Sequence, residues 1–200
     1  MTPIAEPLES QQLLVAGNGS NMTELPPRLA TANDIRELVQ FLKRRPHGVS
    51  THEIPQPLKK RVFHPTKIEC YQFWGLVSVN RGRLVLTHLG WQFAHSLDPE
   101  ARAYRELLES VSIYRAAVEW IEREHLDVLT QDELGSYWRE ECPWAFVKSA
   151  EEDLTAAVIT FFHICQAAEL GTMTLGKRGQ PGRLLIWHEV LHPVPDSSTR

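Results

Sequence analysis

Lys59, Lys60 and Arg61 form an unbroken cationic run, Lys67 and Gln72 follow within a few helical turns, and Arg81 and Arg83 flank Gly82. Cations at this density neutralise phosphates, and an amide such as Gln72 pairs with base edges, so the chemistry is recognition of a polyanion rather than bond-making. Lys67 and Gln72 are the candidates for base edges. Lys59, Lys60, Arg61, Arg81 and Arg83 are the candidates for the backbone that sets register. A second basic loop, Lys177-Arg178 with Arg183 beyond it, is a candidate for an additional contact with phosphate or with an acidic protein surface.

Signatures of catalysis are missing from the sequence. His163 and Cys165 lie two apart on an apolar helical pattern, where they point to different faces; a ligand pair on a helix sits at i, i+3 or i, i+4. His52-Glu53 has no second histidine at helical spacing, and Pro193 argues against a helix joining His188 to His192. There is no Gly-x-Ser-x-Gly elbow and no nucleophilic-cysteine signature. The expectation is a non-enzyme without metal or cofactor. The three cysteines, Cys70, Cys142 and Cys165, read as reduced and buried.

The elements that must carry the cations follow from periodicity. Thr31 or Asn33 caps a helix in which Ile35, Leu38, Val39 and Leu42 form one apolar stripe, ending near Arg45-Pro46. Val49 to Ile54 has room for a strand stub or a single turn, and Leu58 to Val62 for a short helix. Pro65-Thr66 opens a third helix with Ile68, Tyr71 and Trp74 on one face, and Gly75 supplies its left-handed C-cap. Two β-rich segments pinched at Arg81-Gly82 come next. Helix, stub, helix, helix and hairpin is the order of a winged helix, in which the third helix enters the major groove and the hairpin reaches the flank.

A divergent second copy follows at 113–190. It has a helix from Ile113 to His125 and a capping box at Thr130 and Glu133. Another box, at Ser149 and Glu152, opens a helix apolar almost all round, and a hairpin around 177–182 closes the unit. Residues 98–112 form an amphipathic connecting helix that packs between the units or pairs two chains. Residues 1–30 read as a flexible leader, 31–97 as the first domain, 113–190 as the second and 191–200 as a tail. The fold class expected is mainly α with small β-wings, a tandem winged helix.

Charge divides the same way. Between residues 33 and 97 ten Lys and Arg face four Asp and Glu, a net of +6; between 98 and 190 nine face seventeen, a net of −8. The first half is suited to a polyanion and the second to solvent or a protein. No apolar run approaches the roughly 20 residues of a membrane span, and the start lacks a basic, apolar secretory leader, so the expected place is the cytoplasm.

The segments LVLTHLGWQFAHSLDPEARAYRELLESVSIYRAAVEWI and EEDLTAAVITFFHICQAAELGTMTLGKRGQPGRLLI resemble an accessory domain called AAA-associated. It is found at the C-terminus of ATPase subunits of nitrate- and sulfonate-type ABC transporters. The resemblance covers about Asp34 to Ile186 and rests on apolar positions. It implies two winged-helix-like units and a regulatory role. The chain lacks the G-x-x-x-x-G-K-[ST] phosphate loop, so an ATPase would be a separate protein. Two roles are therefore expected. The first is a double-stranded-DNA-binding transcriptional regulator acting as a homodimer. The alternative is a non-catalytic regulatory module docking on an ATPase or another large protein partner.

Overall fold

Local sequence signals set most element boundaries in the computed structural model, which describes residues 27–95, 100–146, 150–176 and 180–187. Helix α1, Ala32–Lys43, starts in a full capping box: the Asp34 amide donates to Thr31 Oγ1 at 3.3 Å, and the Thr31 amide donates to Asp34 Oδ2 at 2.9 Å. Such a cap stabilises a helix by about 1 kcal/mol. Ile35, Leu38, Val39 and Leu42 are buried, as their spacing predicts. The chain is engaged before α1, since Ala30 is fully buried and the Arg28 amide donates to Cys70 Sγ at 3.3 Å. The leader drawn to residue 30 therefore runs into the packed fold at its end. Residues 1–26 and 188–200, which hold the rest of it and the tail, lie outside the described residues.

Helix α2 spans Gln56–Arg61 and α3 spans Pro65–Phe73, each with proline in its first turn. Proline suits that position, because the first helical N–H groups have no partner within the helix. The stub between α1 and α2 is a single β-bridge from Val49 to Leu84. Gly75, at φ +67°, lets α3 turn into strand β1, Val77–Asn80, which pairs antiparallel with β2, Arg83–Leu86. Helix α4, His88–His95, begins where the Gly90 amide donates to Thr87 Oγ1 at 3.1 Å and packs back onto α1.

The connecting helix α5, Glu100–Ser110, buries Ala101, Ala103, Tyr104, Leu107 and Leu108 against α4, α6 and α8. Of the two places open to it, the observed one is between the halves. The Asp98-Pro99 start expected for it lies outside the described residues.

The second half repeats the order: α6 (Ser112–Glu124), β3 (Val128–Thr130), α7 (Gln131–Glu141), a 3₁₀ turn at Pro143–Ala145, α8 (Glu151–Ala167), β4 (Gly171–Thr174) and β5 (Arg183–Ile186). The three strands form one antiparallel sheet in the order β3-β5-β4. The box at Thr130 and Glu133 forms. At α8 the N-cap is Ala150, which makes no side-chain cap bond, and Ser149, the residue expected to cap, lies outside the described residues. Helix α8 is buried on several sides through Leu154, Ala157, Val158, Phe161, Phe162, Ile164 and Cys165.

One continuous apolar core runs through both halves. It is crossed by polar ties: Trp74 Nε1 donates to Tyr114 Oη at 3.3 Å, Tyr104 Oη donates to the Ala32 carbonyl at 3.1 Å, and Arg28 pairs with Asp153. All three cysteines are free and buried; burial pushes the Cys70 thiol up to about 11 and raises Cys142 and Cys165 as well, which keeps them protonated and inert. No described helix is long and apolar enough to cross a membrane.

Candidate nucleic-acid interface

The cationic run on α2 occupies three consecutive positions, which a helix spreads at about 100° each, so the side chains fan out rather than share a face. Lys60 and Arg61 are exposed and Lys59 is half-buried. Arg61 turns to α1 and pairs with Glu37. The side chains of Lys59 and Lys60 have no hydrogen bond or ion pair to a described residue, though the Lys59 amide donates to the Pro55 carbonyl at 2.9 Å.

Helix α3 differs from the expected reading surface. Its Lys67 is only 19% exposed in its side chain, and Nζ sits 2.8 Å from Asp34 Oδ1, the carboxylate that caps α1. Lys67 thus fastens α3 to α1. The exposed positions of α3 are Pro65, Glu69 and Gln72, at i, i+4 and i+7, one solvent face without a cation. Gln72 is available as expected, but its neighbour on that face is a carboxylate.

The hairpin β1–β2 divides its two arginines between different tasks. Arg81 is exposed at the tip, in a two-residue turn with Gly82, and has no hydrogen bond or ion pair to a described residue. Arg83 turns inward to the loop between α1 and α2. Its Nε donates to the His47 carbonyl at 3.1 Å, Nη2 donates to the Gly48 carbonyl at 2.9 Å, and Nη1 and Nη2 grip Glu53 at 3.1 and 2.8 Å. Gly48 is needed there: at φ +77°, an added Cβ would lie 2.8 Å from the Leu84 carbonyl oxygen. The arginine expected to contact phosphate therefore holds the base of the hairpin to the body.

Three of the four carboxylates between residues 33 and 97, Asp34, Glu37 and Glu53, are each taken by one expected contact residue, and the fourth, Glu69, faces solvent on α3. Charge counting along the sequence does not pair these acids, because Glu37 and Arg61, Glu53 and Arg83, and Asp34 and Lys67 lie 24, 30 and 33 positions apart; their pairing is tertiary.

The Ser50 amide and, next, the Arg83 guanidinium hold the Glu53 carboxyl below its ordinary value. A carboxylate whose value is lower folded than unfolded contributes stability above the unfolded value, and that contribution is lost as pH falls through the folded one. The hairpin base is therefore expected to loosen as pH drops below the ordinary carboxylate range. Faster hydrogen exchange at the Val49 and Leu84 amides would report it, and Glu53→Gln should abolish the pH step.

In the second half Arg183 is exposed at the start of β5, while Lys177 and Arg178 lie outside the described residues. Among the described residues no three His, Cys, Asp or Glu side chains converge as metal ligands. Of the tryptophans, Trp74 and Trp138 are buried in the core, Trp91 is half-buried and Trp144 is 39% exposed. Compared with known protein families, with curated proteins and with solved structures, the chain matches none of them.

Proposed function

We propose that this chain is a tandem winged-helix protein that binds double-stranded DNA through its first half and does so mainly by the phosphate backbone. The repeated element order supports the fold reading. In each half a helix, a short strand or bridge, two helices and a hairpin follow one another, and the short strand or bridge joins the hairpin. The observation that carries the function is a group of cations whose side chains pair with no described residue, among them Lys59 and Lys60 on α2 and Arg81 on the hairpin tip, in a half of net charge +6. Arg61 adds to them, since a surface pair such as Arg61–Glu37 is held by about 0–1 kcal/mol and opens readily to a phosphate. The α3 face, with Glu69 and Gln72 and no cation, favours backbone contact over direct base readout. A regulatory role in transcription and a homodimer belong to the same proposal.

Binding of this kind weakens steeply with salt. Between 50 and 200 mM salt the affinity for a labelled duplex is expected to fall on the order of tenfold or more, by release of counterions. Lys59→Ala with Lys60→Ala should weaken binding equally across sequences and lower the salt slope by about two. An unchanged slope in the double variant would overturn the assignment of α2.

A second reading, a regulatory module docking on an ATPase or another large partner, is favoured by Glu69 on the outer face of α3 and by the engagement of Arg61, Lys67 and Arg83 with carboxylates. Recovery of one stoichiometric protein insensitive to nuclease would support it over the DNA reading.

A further inference from the structure

Helices α6 and α7 leave between them an open groove of about 510 Å3, walled by Trp120 and Tyr137. The two rings are half-buried and stack face to face, with centroids 4.3 Å apart and planes 4° from parallel. The Tyr137 hydroxyl donates to the Ala116 carbonyl at 3.1 Å, so the aromatic wall is a held surface. Around it stand Asp132, Glu133, Glu140 and Glu141, all exposed, with Arg123 as the one cation among the described lining residues. That cation is already answered, since Arg123 Nε lies 3.1 Å from Glu124 Oε1, and Glu133 is taken by the cap at Thr130. The side chains of Asp132, Glu140 and Glu141 pair with no described residue.

Apolar rings beside unneutralised carboxylates suit a long cationic side chain. Its methylenes lie along the rings, its ammonium meets a carboxylate, and the ring faces add a cation–π attraction. The chain carries the complement itself. Lys59 and Lys60 are consecutive on α2, in the half of net charge +6, and the groove belongs to the half of net charge −8. Glu140 and Glu141 are consecutive at the end of α7, so both pairs spread over about 100° and can be matched one to one. Within one chain the two pairs do not meet, since neither makes an ion pair with a described residue. The acidic groove and the basic run are therefore both open to another molecule.

We propose that this groove takes the Lys59-Lys60 run of a second copy of the chain, its carboxylates standing where DNA phosphates would. A lysine held in the groove is withdrawn from the phosphate backbone, so this contact and duplex binding exclude one another. The assembled protein is then the form not bound to DNA, separate from any dimer formed on the duplex. That consequence rests on the DNA reading above; the contact itself does not.

The test is sedimentation equilibrium of the full chain at about 0.01 M salt, where surface charges act over about 30 Å, and at about 1 M, where they act over about 3 Å. The parent is expected to self-associate at low salt and to run as a monomer at high salt. Lys59→Glu with Lys60→Glu should be monomeric at both, and so should Glu140→Lys with Glu141→Lys, because each sets like charges against one another. Mixed in equal amounts, these two variants hold one intact groove and one intact run between them and should form a pair and nothing larger. A chain with all four substitutions has both signs exchanged and should regain assembly at low salt, a rescue that loss of folding would not give. Ser136→Leu, at an exposed position of the lining, fills the groove without altering its charge and should weaken assembly about tenfold. Unlabelled duplex added to the parent should dissolve the assembly. A parent that is monomeric at low salt, variants that still self-associate alone or fail to pair when mixed, or full assembly of Ser136→Leu overturns the contact. Where the charge exchange holds and duplex leaves the assembly intact, the contact stands and the assignment of Lys59 and Lys60 to DNA falls.

Discussion

Replacing Phe161 with Ala is expected to cost about 3–5 kcal/mol and to lower the melting temperature by roughly 6–20 °C for a chain of this length. Phe161 is fully buried in α8, with ring centroids 5.2 Å from Tyr114, 5.6 Å from Trp138 and 6.3 Å from Phe162. Few neighbours can collapse into the space, because Trp138 is stacked between Tyr114 and Phe146, and Tyr114 is anchored by its bond from Trp74 Nε1. That bond also carries the effect across the molecule. Trp74 caps α3 in the first half, Tyr114 begins α6 in the second, and both are fully buried. Calorimetry on the variant should show one transition shifted as a whole. Two transitions, with the first half melting at the parent temperature, would contradict a shared core.

How far the sequence could be read follows from the range of the forces involved. The stripe Ile35, Leu38, Val39 and Leu42, the N-cap at Thr31, the box at Thr130, the Gly75 cap and the Arg81-Gly82 turn are local patterns that form in the structure, whereas the box drawn at Ser149 and Glu152 begins outside the described residues. Strand β3 left only the three residues Val128-Leu129-Thr130 as a signal, too short to separate from a loop, and it exists because Leu129 pairs with Leu184 far along the chain. The candidate site was legible as composition and not as geometry. Lys67 and Arg83 carry the right charge at the right spacing, yet each is turned inward by a carboxylate on another element, Asp34 and Glu53. A count of charges does not show which of them are neutralised at contact distance. Glu69 could have been foreseen beside Gln72: once Tyr71 and Trp74 are assigned to the core, helical spacing puts 65, 69 and 72 on the outer face.

Gly90→Ala is expected to be among the most damaging single-methyl additions at the described glycines, costing about 3 kcal/mol or more, the upper end of overpacking. Gly90 lies on α4, and a Cβ built there would fall 2.1 Å from the Leu76 carbonyl oxygen and 3.0 Å from Leu86 Cδ2. The first of these is backbone, fixed by its bond from the Thr87 amide at 3.1 Å, so α4 itself must move. Moving α4 separates it from α1, breaks the bond from Lys43 Nζ to the Ala94 carbonyl and disturbs the support under β1. Two other glycines separate this cause from general loss of glycine. At Gly135 on α7 the nearest atom is a flexible Leu154 methyl at 3.5 Å, so alanine there should be neutral or stabilising by up to about 1 kcal/mol, through helix propensity. At Gly75 the space is open but φ is +67°, so alanine should cost about 1–2 kcal/mol from backbone strain alone. Urea titration of the three variants should rank them Gly90 worst, Gly75 intermediate and Gly135 mildest. A Gly90→Ala protein as stable as the parent would mean that α4 does not sit against the start of the hairpin.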